Sequence, residues 1–122
     1  MNPRRVHSLF EKHFPKIDLV MCEWIHLFRD GTVDRELLGK ILSTIESDCL
    51  LIHIRRTIGD FLQSEQALDY IVENVGKSQI RIADRAFNRF VMIASNGVAA
   101  TWPQCLTRFQ FAQLPDKSSG ID

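Results

Sequence analysis

The chain has 122 residues, of which 45% are hydrophobic and 25% are charged, so it is long enough for one globular domain and too apolar for a disordered chain. Fifteen basic residues balance fifteen acidic ones, and this neutrality gives no general attraction to nucleic acid or to an anionic membrane. No apolar run approaches the roughly 20 residues of a membrane-spanning helix, so we expect no membrane association.

Three cysteines, Cys22, Cys49 and Cys105, are widely spaced along the chain. An odd number at this spacing does not indicate a disulfide framework, and we expect a reducing, cytoplasmic environment. The first residues, from Met1 to Arg5, do not begin a continuously apolar segment, which argues against a secretory signal.

Helical periodicity dominates the first half of the chain. Residues 6–14 and residues 17–28 place apolar side chains at helical spacing and predict two successive helices. Residues 33–47 predict a third helix with a clean apolar stripe. A fourth helix is predicted over residues 64–75, where Gly76 provides the C-terminal stop.

Two regions predict β-structure. Residues 49–54 form a short, apolar run rich in β-branched residues, which indicates a buried strand. Residues 79–102 predict two short strands, a turn and a third extended run. The turn is Asn96-Gly97, and this dipeptide between apolar segments favours a type I′ hairpin.

These patterns predict an α+β fold in which N-terminal helices pack on a small, mainly antiparallel sheet of three to four strands with an Asn96-Gly97 hairpin. We expect one globular domain over residues 1–114 and a disordered tail over residues 115–122. The unpaired edge strands of such a sheet would allow two copies of the chain to form a homodimer.

Two segments have no clear pattern. Residues 55–63 fit a loop, a short helical turn or the entry to the fourth helix. Residues 104–114 fit one more strand or an extended arm.

No catalytic or cofactor-binding motif is present. The glycines are scattered, and neither a phosphate-binding loop nor C-x-x-C nor H-E-x-x-H occurs. Cys22 and His26 lie four residues apart, but a zinc site needs three or four ligands. Cys49 or Cys105 with His53 would make a nucleophile pair, yet the apolar flanks do not suggest an electropositive niche. We therefore expect no cofactor and no metal.

Arginines mark the predicted strands. Arg55 ends the first strand, and Arg81 and Arg89 lie on the next two. If these strands are neighbours, alternation places the arginines on one sheet face, where guanidinium groups would bind phosphate, carboxylate or RNA backbone. His53 is expected to point outward as well. The simpler interpretation is a solvated, salt-bridged face, because no aromatic stacking motif accompanies the arginines.

Two further features suit a protein partner. Trp102, which follows the hairpin, either closes the core or anchors a partner. Glu65, Asp69 and Glu73 on the fourth predicted helix belong to an acidic surface that would suit a basic target such as a nuclease.

We expect a non-catalytic protein-binding module without a nucleic-acid partner. The candidate partner-binding residues are Arg55, Arg81, Arg89, Trp102, Glu65, Asp69 and Glu73. Small size and the lack of a catalytic pattern are typical of bacterial immunity or antitoxin-type inhibitors, although no motif assigns a particular family. The alternative is a small enzyme or an anion-binding domain whose site lies near Arg55, Arg81 and His53.

Overall fold

A six-stranded antiparallel sheet forms the centre of the protein, and helices cover both of its faces. The computed structural model describes residues 1–20 and 22–113. The helices are α1 (Pro3–His13), α2 (Arg35–Ser43), α3 (Ser64–Asn74) and α4 (Arg108–Ala112). The strands are β1 (Ile25–His26), β2 (Phe28–Arg29), β3 (Thr32–Val33), β4 (Cys49–Arg55), β5 (Ile58–Gln63), β6 (Ile80–Ala83), β7 (Phe90–Ile93) and β8 (Val98–Trp102).

The strand order in the large sheet is β1-β8-β7-β6-β4-β5, and β2 and β3 form a separate two-stranded sheet. The predicted α+β class is confirmed, but the prediction of three to four strands is wrong because the large sheet has six. The two additional strands are its edges, β1 and β5. Residues 55–63, for which the sequence left several conformations open, contain β5, which pairs with β4 from Cys49↔Gln63 onward.

Strand β4 is buried on both sides. Leu50, Ile52 and Ile54 contact the core beneath α2, α3 and α4, whereas Leu51 and His53 point to the opposite face. This alternation is the period of two that a β-strand imposes on its side chains. The sheet is therefore the middle of three layers.

Helix α1 closes the second face of the sheet. Val6 and Phe10 have no exposed surface and pack with Leu51, Phe87 and Phe90. The helix begins at Pro3, where the missing N–H costs nothing, and the Asn2 side chain accepts a hydrogen bond from the amide of Arg4. Burial of this single apolar stripe fixes α1 on β4 and β5.

The predicted third and fourth helices are present as α2 and α3. Asp34 caps α2 by accepting a hydrogen bond of 3.1 Å from the amide of Leu37. Helix α3 buries Ala67 and Ile71 completely and ends before Gly76. Both helices pack on the face of the sheet opposite to α1.

The helix predicted over residues 17–28 is wrong, because this segment contains β1 and β2. Ile25 and Leu27 are buried while His26 and Phe28 are exposed. Burial therefore alternates every second residue, as in a strand, and does not follow the 3.6-residue repeat of a helix. The backbone groups of β1 form hydrogen bonds with β8, which replace the hydrogen bonds that they would have formed within a helix.

The predicted hairpin is confirmed as β7 and β8. The amide of Ala94 donates to Val98 O at 2.8 Å, and the amide of Gly97 donates to Ala94 O at 2.9 Å. Gly97 has a φ of 88°, but Asn96 does not have a positive φ. The loop is therefore a three-residue connection with a glycine bulge and not a two-residue type I′ turn.

The C-terminal region is tied to the sheet by a disulfide and a short helix. Cys22 and Cys105 form a disulfide, contrary to the expectation of unpaired cysteines, and only Cys49 is free. Helix α4 occupies part of the segment 104–114 instead of a strand or an extended arm, and its Phe111 is buried in the core. Residue 114 and the predicted tail, 115–122, lie outside the described residues.

The ring of Phe28 lies against two glycines of the loops around the sheet. A Cβ atom on Gly97 would stand 2.5 Å from this ring, and one on Gly76 would stand 2.8 Å from it. Both glycines have positive φ, so side chains are disfavoured there by conformation and by space. The Phe28 ring therefore joins β2 to the β7–β8 loop and to the end of α3.

We predict that Gly97→Ala destabilises the protein more than Gly31→Ala. Both positions have similar positive φ, but a Cβ at Gly31 meets nothing within 4 Å. Gly31→Ala should cost about 1 kcal/mol through conformation alone, and Gly97→Ala about 2 to 3 kcal/mol because the Phe28 ring is also displaced.

Urea unfolding of the single variants measures both costs. Gly39→Ala is the control, because Gly39 lies within α2 in open space and should gain up to about 1 kcal/mol. Equal losses for Gly31→Ala and Gly97→Ala would contradict the proposed packing of Phe28.

Candidate functional site

A cluster of polar side chains lies between α1 and the sheet. His53 on β4 pairs in register with Arg81 on β6, and their exposed fractions are only 6% and 8%. The Arg81 guanidinium donates to Glu11 Oε2 at 3.0 Å and, through Nε, to His53 Nδ1 at 3.3 Å. His53 Nε2 lies 2.8 Å from His7 Nδ1. Helix α1 thus contributes the two outer members of a chain of four.

The permanent charge of Arg81 fixes where the protons of this cluster lie. A guanidinium only donates, so Nδ1 of His53 accepts and its proton is on Nε2. That proton is donated to His7 Nδ1, which leaves the proton of His7 on its own Nε2. The His53 ring is neutral in this arrangement.

Burial and charge shift two pKa values in the cluster. Burial, with the neighbouring Arg81 and His7, lowers the pKa of His53 from 6.5 to about 4. The hydrogen bond from Arg81 lowers the pKa of Glu11 below its usual value. Arg81 also lies 5.4 Å from the Phe10 ring centroid and 5.2 Å from that of Phe14. The guanidinium is therefore compensated by a carboxylate, an imidazole and two aromatic faces.

This cluster attaches α1 to the sheet. The prediction that His53 points outward to solvent is wrong. His53 does lie on the sheet face opposite to Leu50, Ile52 and Ile54, but α1 covers that face and buries it. Arg55 is exposed and donates to Ser78 Oγ at 3.2 Å, so the structure does not bring it to the same partners as Arg81. Two surface cavities, of about 270 and 350 Å³, are lined by other residues.

The structure does bring two other predicted residues together. Arg89 and Trp102 line the cavity of about 270 Å³ at the end of the sheet. Trp102 is half-buried and also packs against the core beneath α1, so it contributes to closing the core, and its role as a partner anchor stays a prediction. Asn88 and Gln104, which the sequence did not single out, line the same cavity.

The predicted acidic residues form an exposed stripe along α3. Glu65, Asp69 and Glu73 follow one another at intervals of four residues and are all exposed. Asp69 forms an ion pair with Arg35 of α2. Within the described residues, neither Glu65 nor Glu73 takes part in an ion pair.

One pattern on α1 indicates the cluster beneath this helix. His7 and Glu11 are four residues apart, directly beside the buried positions Val6 and Phe10. Polar residues on the border of an apolar stripe indicate a buried polar contact, but they do not identify its partners on β4 and β6.

Comparison with known proteins identifies no relative. No family model matches the chain, and no curated protein or solved structure is significantly similar to it. Across residues 1–20 and 22–113, no three histidine, cysteine or carboxylate side chains are grouped to bind a metal. In the same part of the chain, no helix has the length and apolarity to cross a membrane.

We predict that the cluster makes stability depend on pH. The folded protein holds His53 neutral down to a pKa of about 4, whereas the unfolded chain takes up the proton near 6.5. Stability should therefore fall as pH decreases through this interval, by at most about 3 kcal/mol. Denaturant unfolding at a series of pH values measures this slope.

His53 and Glu11 should affect the stability of the protein in different pH intervals. His53→Gln should flatten the slope between pH 6.5 and 4.5, whereas Glu11→Gln should act below the usual carboxyl pKa of 4.5. His26→Gln is the control, because His26 is exposed on β1. An unchanged slope in His53→Gln, with folding intact, would contradict the assignment.

Proposed function

We propose that this protein is a non-catalytic binding module that attaches to a basic protein through α3, in the manner of a bacterial immunity or antitoxin-type inhibitor. The observation that carries the proposal is the exposed stripe of Glu65, Asp69 and Glu73. Such an inhibitor would cover a basic surface of its target, for example the nucleic-acid-binding face of a nuclease.

Charge is unevenly distributed along the chain. Residues 57–76 contain four acidic residues and no lysine or arginine, whereas residues 1–16 contain four basic residues and one acidic residue. Helix α3 lies on one side of the sheet and α1 on the other. The exposed side of α3 is thus acidic, and this charge would steer the protein toward a basic partner.

The acidic stripe is on a rigid support. Ala67 and Ile71 hold α3 on the core with no exposed surface, and Leu68 and Val72 are partly buried beside them. The side chain of Ser64 ties the beginning of α3 to the carbonyl of Asp48 at 3.0 Å. A preorganised charged surface loses little entropy on binding, which suits a tight inhibitor.

The alternative of an enzyme or anion-binding site near Arg55, Arg81 and His53 has less support. Arg81 and His53 are buried and bonded to each other, and Arg55 has a separate partner. A catalytic group must reach its substrate, and α1 stands between these two side chains and solvent.

Pairing of two copies through the edge strand β5 also has less support. The amide of Phe61 donates to Asp60 Oδ1 at 2.7 Å, so this donor is satisfied within the strand. A charged side chain on an edge strand opposes pairing with another chain.

A cytoplasmic location remains a prediction. The Cys22–Cys105 disulfide argues against it, because the cytosol keeps most thiols reduced. The free Cys49 is compatible with either compartment.

We predict that the double variant Glu65→Gln/Glu73→Gln loses the partner. These substitutions keep the size of the side chains and leave the Arg35–Asp69 ion pair intact. Immobilised protein would be exposed to a lysate of the source cells, and the retained protein would be purified and its affinity measured. The double variant should bind it at least about tenfold more weakly.

A variant with the same change of charge elsewhere provides the control. Glu23→Gln/Asp30→Asn alters two exposed carboxylates outside α3 and should retain full affinity. Binding of the parent protein should also decrease sharply at about 1 M salt, where the Debye length is about 3 Å. An acidic partner, or equal affinity of both double variants, would overturn the proposal.

A further inference from the structure

The cleft lined by Arg89 and Trp102 lies where β7 begins and β8 ends. Phe90 and Trp102 are paired in register at this end of the sheet, and the cleft has a volume of about 270 Å³. Typical pockets for drug-sized ligands have about 300 to 1,000 Å³. The cleft is thus of a size for one amino-acid residue or a small organic molecule.

One wall of the cleft is a loop held by several bonds. Thr101 Oγ1 donates to Gln104 O at 2.6 Å and accepts from the amide of Leu106 at 3.4 Å. Cys105 in the same loop is joined to Cys22 by the disulfide. The wall is therefore fixed on the sheet and does not have to be ordered by a ligand.

Hydrogen-bond donors surround this cleft. Arg89 donates through Nη1 to Thr44 O at 3.1 Å, and its Nε–H has no acceptor within the described residues. Asn88, Gln104 and Trp102, which also line the cleft, carry further side-chain N–H donors. Trp102 and Pro103 supply the apolar surface beside these donors.

We propose that this cleft binds a carboxylate attached to an apolar or aromatic group. A carboxylate accepts from the fork of a guanidinium, and the apolar group would lie on Trp102 and Pro103. Both the C-terminal residue of a polypeptide and a small aromatic acid have this chemistry. The inference concerns a second surface and does not depend on the acidic stripe of α3.

Glu46 pairs with Arg89 in the free protein, although Glu46 does not itself line the cleft. Its carboxylate lies 3.4 Å from Arg89 Nη2, and the two side chains are 68% and 43% exposed. An exposed ion pair of this kind contributes little energy, so a ligand with better geometry can replace it. Glu46 is thus a competitor whose removal should favour the ligand.

The experiment is a titration of the full chain, labelled with ¹⁵N, with N-acetylphenylalanine and with its primary amide. The Trp102 indole N–H, the Arg89 Nε–H and the side-chain amides of Asn88 and Gln104 report directly on the cleft. We expect saturable shifts of these signals with the acid and none with the amide, while the Trp24 indole signal stays unchanged.

Substitutions test the role of each charge. Arg89→Gln should weaken binding at least about tenfold, because the charged fork is lost. Glu46→Gln should strengthen binding about two- to fivefold, the range that an exposed ion pair allows. Arg55→Gln is the matched control, since Arg55 lies at the opposite end of β4 from the cleft and should leave affinity unchanged.

A further pair of ligands distinguishes the two sources of the carboxylate. A short alanine peptide ending in phenylalanine should bind as well as N-acetylphenylalanine if the site takes a chain terminus, and only the small acid should bind if it takes a free metabolite. Should Arg89→Gln fail to fold, Asn88→Ala provides the test, because its exposed side chain has no partner within the described residues.

Equal binding of the acid and the amide, or weaker binding in Glu46→Gln, would overturn the proposal. No shift at the cleft up to saturating acid would overturn it as well. None of these outcomes affects the proposed role of α3, because the titration contains no protein partner.

Discussion

Strand β4 has no side that faces water, and the rest of the molecule is arranged around this constraint. One side is apolar and is closed by α2, α3 and α4. The other side carries His53 beside Arg81, so the helix that covers it must bring polar groups as well as apolar ones. Glu11 and His7 meet that need, while Val6 and Phe10 exclude water around them. A buried guanidinium is tolerated here because every neighbour compensates it.

The two surfaces for which we propose a function, the acidic stripe of α3 and the cleft at Arg89, lie near the same end of the sheet. At this end β4 and β7 begin, and β5, β6 and β8 finish, because all pairings in the sheet are antiparallel. Arg89 connects β7 to the end of α2 through Thr44, and Ser64 connects the beginning of α3 to the start of β4. The cleft and the first turn of the acidic helix are therefore held by one set of short connections, and a single large partner would be able to cover both.

Local signals were sufficient for about half of the elements. The apolar stripes of α2 and α3, the β-branched run of β4 and the Asn96-Gly97 turn depend on neighbouring residues, and sequence alone predicted them. Non-local pairing decided the others. Residues 17–28 have helical spacing, yet Ile25 and Leu27 are buried because β8 offers an open edge.

The residues of the candidate sites also separate into those that local sequence patterns predict and those that depend on non-local contacts. The acidic stripe of α3 could be predicted, because three residues at intervals of four lie on one side of any helix. The environment of Arg81 could not be predicted, since it depends on α1 crossing the far side of the sheet. The cleft at Arg89 needed the register of β7 with β8, which brings Trp102 and Gln104 to it.

The disulfide divides the chain in a way that the layers do not. The covalent ring from Cys22 to Cys105 contains all strands of the described residues together with α2 and α3, whereas α1 precedes the ring and α4 follows it. A cross-link restricts only the unfolded states of the segment that it encloses. Helix α1 is consequently the one layer with no covalent closure. Apolar packing and the hydrogen bonds of Glu11 and His7 hold this helix on the sheet.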